Sequence, residues 1–220
     1  MPKIGIGITT TPKRADLLDL CRKQIERHSP EDIQLVVVND INGDGVAHGK
    51  NTCLQLLRGS DYIFLFDDDC FPVSKGWIDH YVQAHERTGN HHFLYLKETP
   101  SIHQVAEKGI VERYNNCGGC FMFLTREVVE KVGGFHPNYG RYGFEHAGYT
   151  IRVHKAGLNP DGEYLSVKGA GEYIYSMDYD NHRDFGVKMV YNIDPAKVAG
   201  YVAENREVFE QDIEQIHQPL

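Results

Sequence analysis

The alternation of short apolar runs with amphipathic helical patterns is the feature of this 220-residue chain that most restricts its fold. Apolar runs at positions 4–8, 33–38 and 62–66 are separated by helical patterns at 17–25 and 53–57. Short apolar runs bounded by turn residues indicate strands, and a spacing of three or four residues indicates helices. Because unbroken apolar strands are typical of a parallel sheet covered on both faces, the sequence predicts a single-domain α/β fold. Its central sheet should be mostly parallel and flanked by helices.

Polar side chains follow each of these three predicted strands. They are Thr9, Thr10 and Thr11 after the first, Asn39 and Asp40 after the second, and Asp67, Asp68 and Asp69 after the third. In an open α/β sheet, ligands bind beyond the carboxyl ends of the parallel strands. We therefore expect these side chains to face one shared crevice.

The three consecutive aspartates predict a metal site. Adjacent carboxylates repel one another, and without a cation one or more of them would have a raised pKa. Carboxylate oxygens suit Mg²⁺ or Mn²⁺. Asp67 and Asp69 point the same way on an extended segment and can share a ligand, whereas Asp68 points elsewhere. The alternative is a solvated acidic turn, which the apolar run at 62–66 disfavours by placing the cluster at a strand end.

Charge and composition exclude several classes of protein. Hydrophobic residues make up 41% of the chain and charged residues 25%, which supports a packed core. The net charge of −8 argues against sequence-independent binding of nucleic acid and disfavours nucleic acid as a substrate. The N-terminus lacks an apolar leader, and every apolar run is far shorter than the roughly 20 residues of a spanning helix. We therefore expect a cytoplasmic protein without a transmembrane segment.

The second half predicts strands near 93–96 and 118–124 and helices near 77–82, 128–132 and 145–155. Trp77 lies on an apolar helical stripe and is predicted to be a core residue. Asp194 and Pro195 start a last amphipathic helix. The residues of its apolar face are Val198, Val202, Phe209, Ile213 and Ile216. This helix is predicted to serve packing or homo-oligomerisation.

The order of these motifs resembles that of the nucleotide-sugar glycosyltransferases with the GT-A fold. The first half is similar to the family-two type and the second half to the animal galactosyltransferases. The matching segments are residues 4–14, 36–40, 49–51, 66–69, 118–121, 132–135 and 142–146. The resemblance implies a Rossmann-like GT-A domain over 1–192, with a nucleotide-binding half at about 1–72 and an acceptor half at about 73–192. Residues 193–220 then form a separate C-terminal helix.

The resemblance also implies a metal-dependent, inverting transfer of a sugar to a hydroxyl group of a glycan or another acceptor. The usual donor is a UDP-sugar and the cofactor is Mn²⁺ or Mg²⁺. The implied donor-binding residues are Thr9, Thr10, Thr11, Arg14, Asn39, Asp40, Lys50, Asn51, Asp67 and Asp68. The implied metal ligands are Asp67, Asp69 and a downstream histidine, for which His182 has a suitable position.

The acceptor half departs from the family pattern at the residue expected to be the catalytic base. Related inverting enzymes have a Glu-Asp pair in which the second residue takes the acceptor proton, whereas this chain has Glu145 and His146. Imidazole is a chemically suitable base. His146 is therefore preferred and Glu145 is the alternative. Tyr139, Tyr142 and Phe144, just before this pair, suit either a sugar-binding loop or ordinary turn packing.

Two other functions fit part of the sequence. A haloacid-dehalogenase-like phosphatase also has Asp-x-Asp after an apolar strand, but Phe71 stands where its motif has Thr or Val, and its motif ends the first strand rather than the third. A nucleotide-sugar-binding module without catalysis would explain the unusual His146.

Overall fold

The computed structural model describes residues 2–180, 182–191 and 193–220. Within these ranges the strands are β1 (Ile4–Thr10), β2 (Gln34–Asn39), β3 (Tyr62–Asp67), β4 (Cys70–Pro72), β5 (His92–Leu94), β6 (Gln104–Lys108), β7 (Val111–Tyr114), β8 (Phe121–Thr125), β9 (Leu165–Val167) and β10 (Ile174–Ser176). The α-helices are α1 (Ala15–His28), α2 (Val46–Leu56), α3 (Trp77–Thr88), α4 (Arg126–Val132), α5 (Glu145–Lys155) and α6 (Val198–Asp212).

Eight strands form one sheet in the order β2-β1-β3-β8-β5-β9-β7-β6, and β4 pairs with β10 in a separate two-stranded sheet. β1 pairs in parallel with both β2 and β3, and β5 pairs in parallel with β9. β8 and β7 run antiparallel to their neighbours, while the other six strands of this sheet share one direction. The predicted α/β fold with a mostly parallel central sheet is therefore confirmed.

The strand register fixes where the polar strand ends meet. Thr9 in β1 pairs with Val38 in β2 and with Asp67 in β3, and Thr10 pairs with Asn39. The ends of the three predicted strands are thus level with one another. This confirms the geometric basis of the predicted crevice.

Burial differs between the three strands. β1 and β3 are largely buried, as their apolar runs predict. β2 is an edge strand, and its Val37 is 38% exposed, so the expectation that all three runs are covered on both faces is wrong for β2. An edge strand has a neighbour on one side only, which leaves part of its surface open.

The core lies on both faces of the large sheet. On one face Trp77 is fully buried, as predicted, and its ring meets Phe64 edge-on at a centroid distance of 4.7 Å. On the other face α2, α4 and α5 pack on β3 and β8 through residues such as Leu54 and Val128. In the part of the chain described, no helix is both long and apolar enough to span a bilayer.

Asp194 caps a 3-10 turn, Pro195–Lys197, that leads into α6, and its side chain accepts a hydrogen bond from the Ala196 amide at 3.0 Å. The buried side chains of α6 are Asn205 and Asp212, however, rather than an apolar row. Ile216 lies beyond the helix and is 44% exposed. The expectation of a continuous apolar face is therefore wrong in this part, because the helix docks through polar contacts as well.

Candidate active site

The strand ends of β1 and β3 are joined by hydrogen bonds from threonine to aspartate. Thr9 Oγ1 donates to Asp67 Oδ1 at 2.9 Å, and Thr10 Oγ1 donates to Asp68 Oδ2. The loop after β2 joins them, because the Asp40 amide donates to the Thr10 carbonyl oxygen at 2.8 Å. These bonds confirm that the three strand ends meet.

Arg14 forms ion pairs with two of the three aspartates. Its Nη2 atom lies 2.9 Å from Asp68 Oδ1 and also donates to Asp69 Oδ2. Burial raises the pKa of Asp68 to about 7 and that of Asp69 to about 6, although Arg14 favours the ionised form of both. The sequence predicted raised pKa values from repulsion, but burial is the larger cause here, repulsion between the aspartates adds to it, and Arg14 offsets both only in part.

Lys50 joins the acidic cluster to the acceptor half. The side chain is fully buried, and its Nζ lies 2.9 Å from Asp67 Oδ1, 2.6 Å from the Gly119 carbonyl oxygen and 3.0 Å from His146 Nε2. Burial opposes ionisation of Asp67, but the charge and hydrogen bond of Lys50, with a hydrogen bond from Thr9, outweigh it and hold the pKa of Asp67 below its usual range. The Lys50 ammonium thus has three partners within the protein, and its predicted contact with the donor phosphates stays a prediction.

Glu145 and His146 begin α5 and form a pair. His146 Nδ1 lies 3.2 Å from Glu145 Oε1. The Lys50 ammonium can only donate, so His146 Nε2 accepts and the proton of a neutral ring is on Nδ1, directed at Glu145. Glu145 is 4% exposed, and its Oε2 is buried without a hydrogen-bond partner. Burial favours the neutral form of Glu145, but His146 and Lys50 outweigh it and lower the pKa of the carboxyl group.

The glycine pair at 118 and 119 permits these close contacts. A Cβ atom on Gly119 would overlap the His146 ring, and one on Gly118 would overlap the Tyr179 hydroxyl. Both glycines are therefore required by packing against the site rather than by a turn. In the sequence, these glycines stand out only as part of the segment 118–121 that resembles the galactosyltransferases.

Three of the predicted site residues have other partners. The Asn51 side chain exchanges two hydrogen bonds with the backbone of Phe135, at 2.7 and 2.9 Å. The Asp40 carboxylate accepts from the amides of Asp44 and Gly45 and so caps its own loop. The His182 side chain is 58% exposed, with Nδ1 3.9 Å from Asp180 Oδ1. Asn39 is exposed and lies at the crevice only through its position at the end of β2.

Only part of the predicted metal ligand set is brought together. In the described ranges, no three His, Cys, Asp or Glu side chains converge on one metal position, so His182 does not join Asp67 and Asp69. Asp69 Oδ1, however, is buried without a hydrogen-bond partner. A buried orphan carboxylate oxygen beside other carboxylates is the type of ligand that Mg²⁺ and Mn²⁺ accept, so the residues present fit a divalent cation.

Asp178 is an acidic neighbour of this cluster and was not among the predicted site residues. Burial raises the pKa of its carboxyl group, Arg14 opposes the rise, and Asp67 adds to it. The Met177 amide donates to the Asp69 carbonyl oxygen at 2.9 Å and fixes the segment there. A second Asp-x-Asp pattern, Asp178 and Asp180 after the apolar residues of β10, was the signal available in the sequence.

Comparison with solved structures shows which fold the chain resembles. The described sheet, with its mostly parallel strands and flanking helices, has the architecture of GT-A glycosyltransferases. A mannosyltransferase, PcManGT, from Pyrobaculum calidifontis, in complex with GDP-Man and Mn²⁺, superposes with a TM-score of 0.56 at 14% identity, over 77% of this chain and 55% of that one. GalNAc-T7 with UDP, GalNAc and Mn²⁺ superposes with a TM-score of 0.58 at 10% identity, over 76% and 42% of the two chains.

Sequence comparisons agree with the fold. Residues 99–173 match the family model described as the N-terminal domain of galactosyltransferase. The uncharacterized glycosyltransferase R363 of Acanthamoeba polyphaga mimivirus is 31% identical over 151 residues, which are 63% of this chain and 56% of that protein. The chain therefore spans just over half the length of this relative. Together the comparisons confirm the predicted resemblance to GT-A glycosyltransferases.

Proposed function

We propose that this protein is a metal-dependent glycosyltransferase that moves a sugar from a nucleotide sugar to an acceptor hydroxyl with inversion at the anomeric carbon. The observation that carries the proposal is the direct link between the two halves of the site. Lys50 contacts Asp67 of the acidic strand end and His146 of the Glu145–His146 pair at 2.9 and 3.0 Å. The sites for the sugar donor and for the acceptor hydroxyl must lie this close together if the two substrates are to react.

The donor binds at the acidic strand end. Asp67 and Asp69 would hold the divalent cation, which when bound supplies positive charge against the diphosphate leaving group. Thr9, Thr10 and Arg14 orient the aspartates through the bonds described above. Mn²⁺ in the complexes of both superposed enzymes supports this cofactor, and UDP in one of them supports a UDP-sugar donor.

Glu145 is the group we assign as the base. In the reaction the acceptor oxygen attacks the anomeric carbon, the bond from that carbon to the phosphate oxygen breaks, and the electron pair leaves with the nucleoside diphosphate. The proton of the attacking hydroxyl group must then move to a base. Glu145 Oε2 has no partner, whereas both ring nitrogens of His146 are engaged. This geometry favours Glu145 as the base, whereas the sequence favoured His146. In this assignment His146 orients Glu145 through its Nδ1 atom.

The test combines a substrate panel with one matched pair of variants. UDP- and GDP-sugars are incubated with and without Mn²⁺, and release of nucleotide and transfer to simple sugar acceptors are measured. Asp69→Asn should lower the Mn²⁺-dependent affinity for UDP at least tenfold, whereas Asp79→Asn, an exposed change on α3, should leave it unchanged.

Other results separate the alternatives. Hydrolysis of simple phosphate monoesters without UDP binding would favour a phosphatase. Tight UDP binding without turnover of any donor would favour a binding module. Equal Mn²⁺-dependent UDP affinity in Asp69→Asn and the wild-type protein would contradict the assigned metal site.

A further inference from the structure

The C-terminal helix α6 contacts the loop that precedes Glu145, and it does so mainly through one buried polar residue. Asn205 is 2% exposed, and Asp212, seven residues later on the same face, is fully buried. Burying an amide or carboxylate costs free energy unless its polar atoms are paired. The partners of these two side chains therefore indicate what the helix is built to hold.

Both polar atoms of the Asn205 side chain form hydrogen bonds with the backbone of residues 140–143. Its Oδ1 accepts from the Gly140 amide at 2.9 Å, and its Nδ2 donates to the carbonyl oxygens of Tyr142 at 3.0 Å and Gly143 at 2.9 Å. This segment belongs to no helix or strand, so the Asn205 side chain supplies hydrogen bonds that its backbone would otherwise form within a helix or sheet.

The same helix face supports a strained residue next to the proposed base. Phe144 has φ of 70°, the one positive φ of a non-glycine residue in the described ranges. Such a conformation persists only where surrounding contacts stabilise it. The Phe144 ring stacks on Phe209 of α6 at 4.9 Å, and the Arg206 guanidinium lies 5.6 Å from its centroid. Glu145 follows directly as the first residue of α5.

The far end of α6 is fixed to the body of the domain. Asp212 pairs with Arg152 of α5 at 2.8 Å and accepts from the Tyr139 hydroxyl at 3.0 Å. The loop from 139 to 144 is thus held from both ends by one helix. Tyr142 is 43% exposed between these two anchors, which leaves its ring available to a ligand.

We propose that α6, through Asn205 and Phe209, is the element that shapes the acceptor site by holding residues 140–144 and thereby directing Glu145. This inference rests on the proposed function, because only a transferase has an acceptor site. It assigns Asn205 as a positioning residue, since its contacts are with the loop backbone. Phe209, one residue of the face predicted for packing or homo-oligomerisation, packs within the chain on Phe144.

Hydrogen exchange of the intact protein tests the structural part of the proposal. Asn205→Ala should raise the exchange rate of the Gly140 amide and its loop neighbours about tenfold or more, because a lost bond of about 1.4 kcal/mol is a factor of ten. Phe209→Leu, which removes the stacking partner of Phe144, should raise exchange at 144–146. Glu204→Ala, on the exposed side of α6, is the matched control and should change neither rate.

Kinetics test the positioning part. Asn205→Ala should raise the KM for a sugar acceptor about tenfold and leave Mn²⁺-dependent UDP affinity within twofold of wild type. Unchanged loop exchange in both variants would overturn the proposal. Faster exchange with an unchanged acceptor KM would overturn the link to the acceptor site. If the wild-type protein transfers no sugar at all, the proposed function fails, while the exchange rates still decide whether α6 orders the loop.

Discussion

The three protons of the Lys50 ammonium have three acceptors, namely Asp67, the Gly119 carbonyl oxygen and His146. A buried ammonium is tolerated when a carboxylate balances its charge and its donors are satisfied. Lys50 meets both conditions and draws three separate segments together. At the residue scale, the site is therefore organised by a cation that is itself closed to solvent.

The different roles assigned to Glu145 and His146, proton acceptor and orienting residue, lead to a prediction at the residue scale. Glu145→Gln removes the assigned proton acceptor and should lower kcat about 100-fold or more, the usual range for loss of a general base, with UDP affinity nearly unchanged. His146→Gln keeps a side chain near Lys50 and should lower kcat less. The measurement is steady-state transfer with both variants, together with UDP binding by calorimetry. If kcat falls more in His146→Gln than in Glu145→Gln, His146 rather than Glu145 is the base.

At the scale of elements, His92 joins β5, β8 and α5 below the site. Its Nδ1 lies 2.8 Å from the Phe123 carbonyl oxygen and its Nε2 lies 3.0 Å from Thr150 Oγ1. A carbonyl only accepts, so Nδ1 carries the proton of the neutral ring and Nε2 accepts from the threonine. Burial lowers the pKa of His92 to about 4.

This shift predicts a loss of stability in acid. Between the pKa of about 6.5 in the unfolded chain and about 4 in the folded one, only the unfolded state binds the proton at His92. The stability is therefore fully present above pH 6.5 and falls as the pH drops through this window. The integrated loss is on the order of 3 kcal/mol. Urea unfolding at pH 7.5, 5.5 and 4.5 measures the change.

His92→Gln supplies the control for that experiment. Glutamine does not titrate, so the variant should be less stable at pH 7.5 but should lose less stability than the wild-type protein on acidification. Parallel pH dependences of the two proteins would show that His92 does not contribute the effect.

At the scale of the whole molecule, Arg152 fastens the C-terminal segment to the domain. Its guanidinium is fully buried and donates to the carbonyl oxygens of Val132, Gly134 and Ile216. It also pairs with Asp212. The tail after α6 adds backbone bonds, since Gln218 and residues 132 and 134 exchange amide-to-carbonyl contacts of 2.9 Å.

Breaking this junction should destabilise the whole domain. Arg152→Met removes the cation that balances Asp212 and one donor to each of three carbonyl oxygens, and removal of one member of a buried ion pair costs about 3–5 kcal/mol. The double variant Arg152→Met/Asp212→Leu should recover part of the loss, because it removes the unpaired charge. Urea denaturation measures both, with Arg58→Met, a change at an exposed arginine outside this junction, as the control. A loss below about 1 kcal/mol in Arg152→Met would contradict the role given to this pair.

Much of the fold and part of the site could be predicted from local patterns. The apolar runs that become β1 and β3, the helix at Trp77 and the cap at Asp194 each depend on residues close in the sequence. The meeting of Thr9 with Asp67 could also be predicted, because parallel strands end at the same edge. His182 and Asn51 could not be placed in this way, since their partners depend on how distant loops pack.

The sequence by itself determined that three polar strand ends meet and that aspartates dominate the meeting point, because strand periodicity and strand direction are local properties. Only the tertiary structure decided that Lys50 is closed inside the site against His146, 96 residues away. It likewise decided that Asn205 holds the loop at Tyr142, 63 residues away. Such contacts depend on the packing of whole elements, and no local pattern of apolar and polar residues specifies which buried donor meets which acceptor.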